Sequence, residues 1–299
     1  MMARRDFITS AVAGVALSTS ARVSSQADAR SAAKGGYASV NGLRLYYEIH
    51  GNGEPLILLH GGLGSVEMFG PNVSAFAATR KVVAVELQGH GHTANISRPM
   101  SFEAMADDIA ALIKELGLAG ADVLGYSLGA AVALRFAIQH SNLVRKLVIV
   151  STPCKHNGWY TEVRAAMAQI SAAVAEQMKQ SPLYQTYARI APRPEDWVSL
   201  VTRVGELIRK DYDWSSDVAA IKSPTLLVFG DADAVPPSHA AEFFALLGGG
   251  RRDGGWDGAG MSQSRLAILP GTTHYVISAV PALLAAALPF LELRSSGAR

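Results

Sequence analysis

Among 299 residues there is a single cysteine, Cys154. With no partner in the chain it excludes an intrachain disulfide framework, and its place near a strand end suits core filling better than nucleophilic chemistry. Long apolar runs are missing as well. The stretch at residues 11–17 falls far below the roughly 20 residues a bilayer span requires, which excludes a stable membrane anchor of that kind. Charge of one sign is scarce: the formal balance is +2, and Arg4, Arg5 and Arg22 against Asp6 account for it. The body after residue 27 is therefore formally neutral, which gives no support to a basic surface for nucleic acid. Internal repeats are absent too. What is present is apolar mass, 49% of the residues, enough for one large α/β domain carrying an insertion rather than several small domains.

The first residues read Met-Met-Ala-Arg4-Arg5-Asp6-Phe7-Ile8 before that short apolar stretch. Paired arginines in this setting resemble a twin-arginine export signal. Ala27-Asp28-Ala29 offers a small-residue cleavage site after Ala29, and Ser25-Gln26-Ala27 a second after Ala27. The expectation is a signal peptide over 1–29, a polar linker over 30–36, and export to the periplasm or beyond.

From residue 37 the pattern is two strands joined at Asn41-Gly42, a hairpin dipeptide. Short buried strands follow at 54–60, 81–87, 121–125, 146–150, 225–230 and 265–269. They alternate with helical sequence such as 101–118, which Ser101 opens as an N-cap. Such alternation predicts right-handed crossovers and a mostly parallel sheet flanked by helices. Over 151–223 the rhythm stops. Helix-like segments at 163–178 and 195–210, broken by Pro182, Pro192 and Pro194, predict a helical lid after the sixth strand, with the core made by 37–150 and 224–299. Residues 248–264, rich in glycine, read as a surface loop.

Gly125-Tyr126-Ser127-Leu128-Gly129 stands between an apolar strand and an apolar helix. A serine flanked by glycines at such a junction is a nucleophile elbow: the turn is too tight for side chains two residues to either side. A serine hydroxyl needs a base, and the base an orienting carboxylate. Past the strand at 225–230 lie Asp231 and Asp233; Asp233 is the first choice for the acid, with Asp231 as a turn-capping alternative. His274 follows the last strand and is the candidate base. An attacked carbonyl also needs amide donors for its oxygen. His60-Gly61-Gly62-Leu63-Gly64 can present the N–H of Gly62, or else of Leu63, opposite that of Leu128. This glycine loop lacks the Lys-Ser/Thr ending of a phosphate loop and the spacing of a dinucleotide fingerprint. Neither a cofactor nor a metal is implied. Leu63, Met68, Phe69, Leu128, Trp159, Tyr160, Val235 and Tyr275 are candidates for lining a largely apolar substrate pocket.

Together these motifs resemble the α/β-hydrolase superfamily across roughly residues 37–293, including the chain order serine, acid, histidine. Glu86-Leu87-Gln88-Gly89-His90-Gly91-His92-Thr93 is similar to the family's D-x-R-G-H-G-x-S loop, with Glu86 and Gln88 departing from it. Within the superfamily the chain looks most like lidded bacterial carboxylesterases of the pimeloyl-carrier-protein methylesterase-like kind. The resemblance implies an eight-stranded sheet and cofactor-free hydrolysis of a small-molecule ester, by a monomer or a homo-oligomer. Lactonase, amidase, C–C bond hydrolase and perhydrolase chemistry use the same triad and stay open, as does a non-catalytic receptor on this fold.

Overall fold

The computed structural model describes residues 34–293. The expected signal peptide, and residues 30–33 of the expected linker, lie outside the described residues. Strand β1 (Lys34–Val40) starts inside that linker and pairs antiparallel with β2 (Leu43–His50). The glycines that made the stretch look like a linker are what let it pair. A Cβ on Gly35 would sit 2.9 Å from the Tyr46 hydroxyl, and one on Gly36 3.1 Å from that of Tyr47, so both rings lie across the strand. Asn41 and Gly42 both take positive φ, as a tight hairpin with right-handed twist demands.

The sheet is completed by β3 (Glu54–Leu59), β4 (Arg80–Glu86), β5 (Ala121–Tyr126), β6 (Val144–Val150), β7 (Thr225–Ala232) and β8 (Arg265–Thr273). Its order is β1-β2-β4-β3-β5-β6-β7-β8. The β2–β4 pair is antiparallel, and every pair from β4 through β8 is parallel. Strand β8 runs four residues past the expected end, carrying Pro270 at the sheet edge, where a missing N–H leaves no ladder bond unmade.

Helices α1 (Asn72–Ala77), α2 (Phe102–Glu115) and α3 (Leu128–Gln139) connect the first strands. Between β6 and β7 come α4 (Thr161–Ala168), α5 (Ala172–Gln177), α6 (Pro182–Ile190), α7 (Trp197–Ile208) and α8 (Ser215–Ala220); α9 (Pro237–Leu246) and α10 (Pro281–Glu292) follow. One apolar layer joins the sheet to α2, α3, α9 and the helical insertion. The other joins its opposite face to α1 and α10. Burying strands on both faces explains their near-continuous apolar runs.

One expected helix ends differently. The segment 163–178 breaks at Ile170, whose carbonyl accepts from Arg209 Nη1 at 2.8 Å and packs against Gly205 of α7. Arg80 opens β4, buried, pairing with Asp122 and with the Leu291 carbonyl near the end of α10. Among the described residues, no helix is long and apolar enough to cross a membrane.

Candidate active site

Five consecutive parallel strands, β3, β5, β6, β7 and β8, release their carboxyl ends at one edge of the sheet, the position where ligands gather in such folds. At the end of β5, Ser127 takes φ 53° and ψ −116° before α3 begins at Leu128. This left-handed backbone is strained for a residue with a side chain, and its surroundings hold it. The Ser127 N–H donates to the Val150 carbonyl at 2.9 Å. A Cβ on Gly125 would approach the Gly129 carbonyl oxygen to 2.3 Å, and one on Gly129 would meet the Leu59 oxygen at the same distance. Both glycines are thus required for strand and helix to close on each other.

Ser127 Oγ lies 3.1 Å from His274 Nε2, and His274 Nδ1 lies 3.0 Å from Asp233 Oδ1. Because the carboxylate accepts, Nδ1 carries the proton and Nε2 presents its lone pair to the serine. Burial by itself would raise the Asp233 carboxyl. The bonds and charge of His274, with bonds from Ser151 and the Gly230 N–H, hold it below the ordinary carboxylate range instead. Asp231 is exposed and accepts from the Thr272 N–H at 3.2 Å, the turn-capping alternative. Two partners of this relay were not anticipated. Buried Ser151, itself at φ 54°, donates its hydroxyl to Asp233 Oδ2, and Tyr126 Oη donates to the His274 carbonyl at 2.8 Å. Ser151 directly follows a buried strand on the ligand-facing edge, a signal that was available in the sequence.

Leu128 is the first residue of α3, so its N–H has no acceptor in the preceding turn of helix. Facing it is the loop after β3, where a Cβ on Gly62 would lie 3.6 Å from that of Leu128 and Leu63 takes φ 61°. His60 braces this loop. Its Nδ1 donates to the Gly61 carbonyl at 2.7 Å and its Nε2 accepts from the Leu87 N–H at 3.1 Å, which requires the neutral ring. Burial pushes His60 down to about 4. The neighbouring His90, 5.1 Å away between ring centroids, is pushed down to about 3 by burial and by the charge His60 would carry. Glu86 reaches beneath Gly91, where a Cβ would come within 2.2 Å of its carboxylate, and accepts from the His92 N–H at 2.6 Å. That bare backbone is how a longer acid is accommodated in this loop.

A cavity of about 580 Å³ opens above Ser127 and His274. Gly62, Leu63, Leu128, Trp159 and Tyr275 line it, and the Trp159 ring stands edge-on to His274 at 5.7 Å. Four expected residues do not line it. Phe69 is fully buried against the α1–α10 face, and Val235 is fully buried in the other layer. Tyr160 is exposed, at the residue before α4, and donates its N–H to the Ala234 carbonyl. Met68 borders a separate cavity of about 220 Å³ on the far side of Leu63. In their place stand Phe102, Thr152, and residues of the insertion such as Val163, Met167 and Tyr212. Cys154 is buried beside His239 with its thiol pushed up to about 11 by burial, which suits core filling.

The sequence profile of the alpha/beta hydrolase fold matches residues 54–183, from β3 through the nucleophile elbow into the insertion. The chain belongs to the α/β-hydrolase superfamily. Curated relatives include a putative carbamate hydrolase of Azorhizobium caulinodans, 28% identical over 70% of this chain and 84% of that protein. A mouse serine hydrolase is 29% identical over 69% of this chain and 72% of its own length. Among solved structures, an enol-lactonase from Burkholderia xenovorans superposes with a TM-score of 0.65 at 22% identity, covering 86% of this chain and all of that one, which establishes the shared fold.

Proposed function

We propose that this α/β-hydrolase is a cofactor-independent serine carboxylesterase acting on small or medium, largely apolar esters. The observation that carries the reading is the unbroken relay Ser127–His274–Asp233 at the foot of an apolar cavity. In the proposed cycle Ser127 Oγ attacks the ester carbonyl carbon while His274 Nε2 takes its proton. The carbonyl oxygen becomes an alkoxide held by the N–H groups of Leu128 and of Gly62 or Leu63. His274 then gives the proton to the departing alcohol, and a water activated by the same imidazole releases the acid. Asp233 keeps Nδ1–H oriented and stabilises the imidazolium. The helices between β6 and β7 act as the lid, since they supply much of the cavity wall.

Labelling with a fluorophosphonate probe tests the reading. Modification at Ser127 with loss of p-nitrophenyl ester hydrolysis is expected; turnover that persists after complete labelling overturns it. We also propose export, on the paired arginines Arg4-Arg5. Replacing both with lysine is expected to retain the protein in the cytoplasm, read by cell fractionation.

A further inference from the structure

Among the described residues, the cavity wall carries no lysine or arginine, and its one carboxylate is Glu162, exposed in the first turn of α4. An acyl group bearing a carboxylate would find no counter-charge there. Apart from Ser127, His274 and the indole N–H of Trp159, the polar side chains that remain are three hydroxyls. Tyr275 is 79% exposed, and Tyr212 Oη already lies within 3.4 Å of the Pro153 carbonyl. Thr152 differs from both. It is 1% exposed, and its Oγ1 has no hydrogen-bond partner among the described residues. Buried hydroxyls are nearly always paired, because an unpaired one forfeits its bonds to water without replacement.

Its position is set by the sheet. Tyr126 and Val150 are register partners, and the Ser127 N–H bonds the Val150 carbonyl, so Ser151 and Thr152 run alongside Ser127 and Leu128. Ser151 turns to Asp233. The next residue, Thr152, borders the cavity. Resting on the esterase reading above, we infer that Thr152 is a specificity residue. Its hydroxyl donates a hydrogen bond to an acceptor oxygen on the acyl part of an uncharged ester: an ether, keto or lactone-ring oxygen a few atoms from the scissile carbonyl. An apolar chamber with one buried, unpaired donor discriminates against the acyl chain that lacks the acceptor, since that donor then stays unsatisfied.

The experiment compares p-nitrophenyl hexanoate with the p-nitrophenyl esters of 3-, 4- and 5-oxahexanoic acid on the full chain. The expected result is a preference of about tenfold in kcat/KM for one oxa isomer over hexanoate. Thr152→Val, near in shape and without the hydroxyl, removes that preference by slowing the oxa ester more than hexanoate. Thr152→Ser restores it. Should the valine variant not fold, Thr152→Ala carries the same comparison. The inference is overturned by a wild-type enzyme indifferent to the oxygen, or by a variant that changes both esters by one factor. Failure of the wild type to hydrolyse any of these esters would instead sink the esterase reading itself.

Discussion

At the carboxyl edge of the sheet, Ser151, Thr152 and Asp233 are between 0% and 7% exposed, and two serines are held at positive φ. Across the same cavity α4 contains no buried residue, although Val163, Ala166 and Met167 face the substrate space. One wall is a fixed chemical apparatus, clamped by strands on both sides. The other leans on it through few contacts, and elements of that kind sit at the low-stability end of a fold, where movement is cheap. The difference separates two tasks. A reacting group displaced by an ångström loses its geometry, whereas an apolar wall that shifts by as much still excludes water.

The largest effects should fall on the fixed wall. Ser127→Ala is expected to lower kcat for p-nitrophenyl esters by a factor on the order of 10⁴ or more while leaving the unfolding temperature unchanged. Asp233→Asn should follow, with a loss of about 10³ to 10⁴. The comparison would break if Asp231→Asn, at an exposed carboxylate that only caps a turn, were equally damaging in the same assay.

The histidines behind the oxyanion loop give a stability test. His60 and His90 sit near 4 and 3 against an ordinary 6.5, so from pH 6.5 down to about 4 the unfolded chain binds protons that the folded one refuses. Stability conferred by the neutral rings is therefore full above pH 6.5 and is lost on acidification. Thermal unfolding followed by circular dichroism should show this decline, and His90→Gln should remove roughly half of its slope. An unchanged slope would mean that these rings do not govern the acid limb.

On the looser wall the effects should be small and confined to substrate choice. Met167→Ala is expected to change kcat/KM for esters of longer acyl chains by about three- to tenfold, with the unfolding temperature within about 2 °C of wild type. A large fall in stability would show that α4 is clamped after all. Smallest of all, Glu162→Gln should raise the relative rate on a hemisuccinate ester by about two- to threefold at low salt and less at high salt, since the carboxylate is exposed and screened.

Legibility along the chain follows the same division. Strands and elbow could be read because each depends on a handful of consecutive residues: a buried parallel strand is an apolar run, and a sharp strand-to-helix turn needs glycine at 125 and 129. Asp233 and His274 could be proposed from their places just past strand ends. The pocket candidates divided. Trp159 and Tyr275 line the cavity; Phe69 and Val235, just as apolar, turned into the core. Hydrophobicity cannot tell a cavity wall from a core, because both are surfaces withdrawn from water. Gly35 and Gly36 misled in the opposite direction, since their value to β1 lies in two tyrosines ten or more residues away.

By itself, then, the amino-acid sequence determined the class of sheet, the strained serine turn and the chain order of nucleophile, acid and base, all of which are local patterns. Tertiary structure decided what those patterns could not contain. It brought Ser127 and His274, 147 residues apart, to 3.1 Å. It set Ser151 against Asp233, left Thr152 unpaired beside the nucleophile, and closed the cavity with helices from another part of the chain. The physical reason is that a turn is fixed by the backbone angles of its own residues, whereas a cavity and an unsatisfied hydroxyl are properties of packing among distant ones.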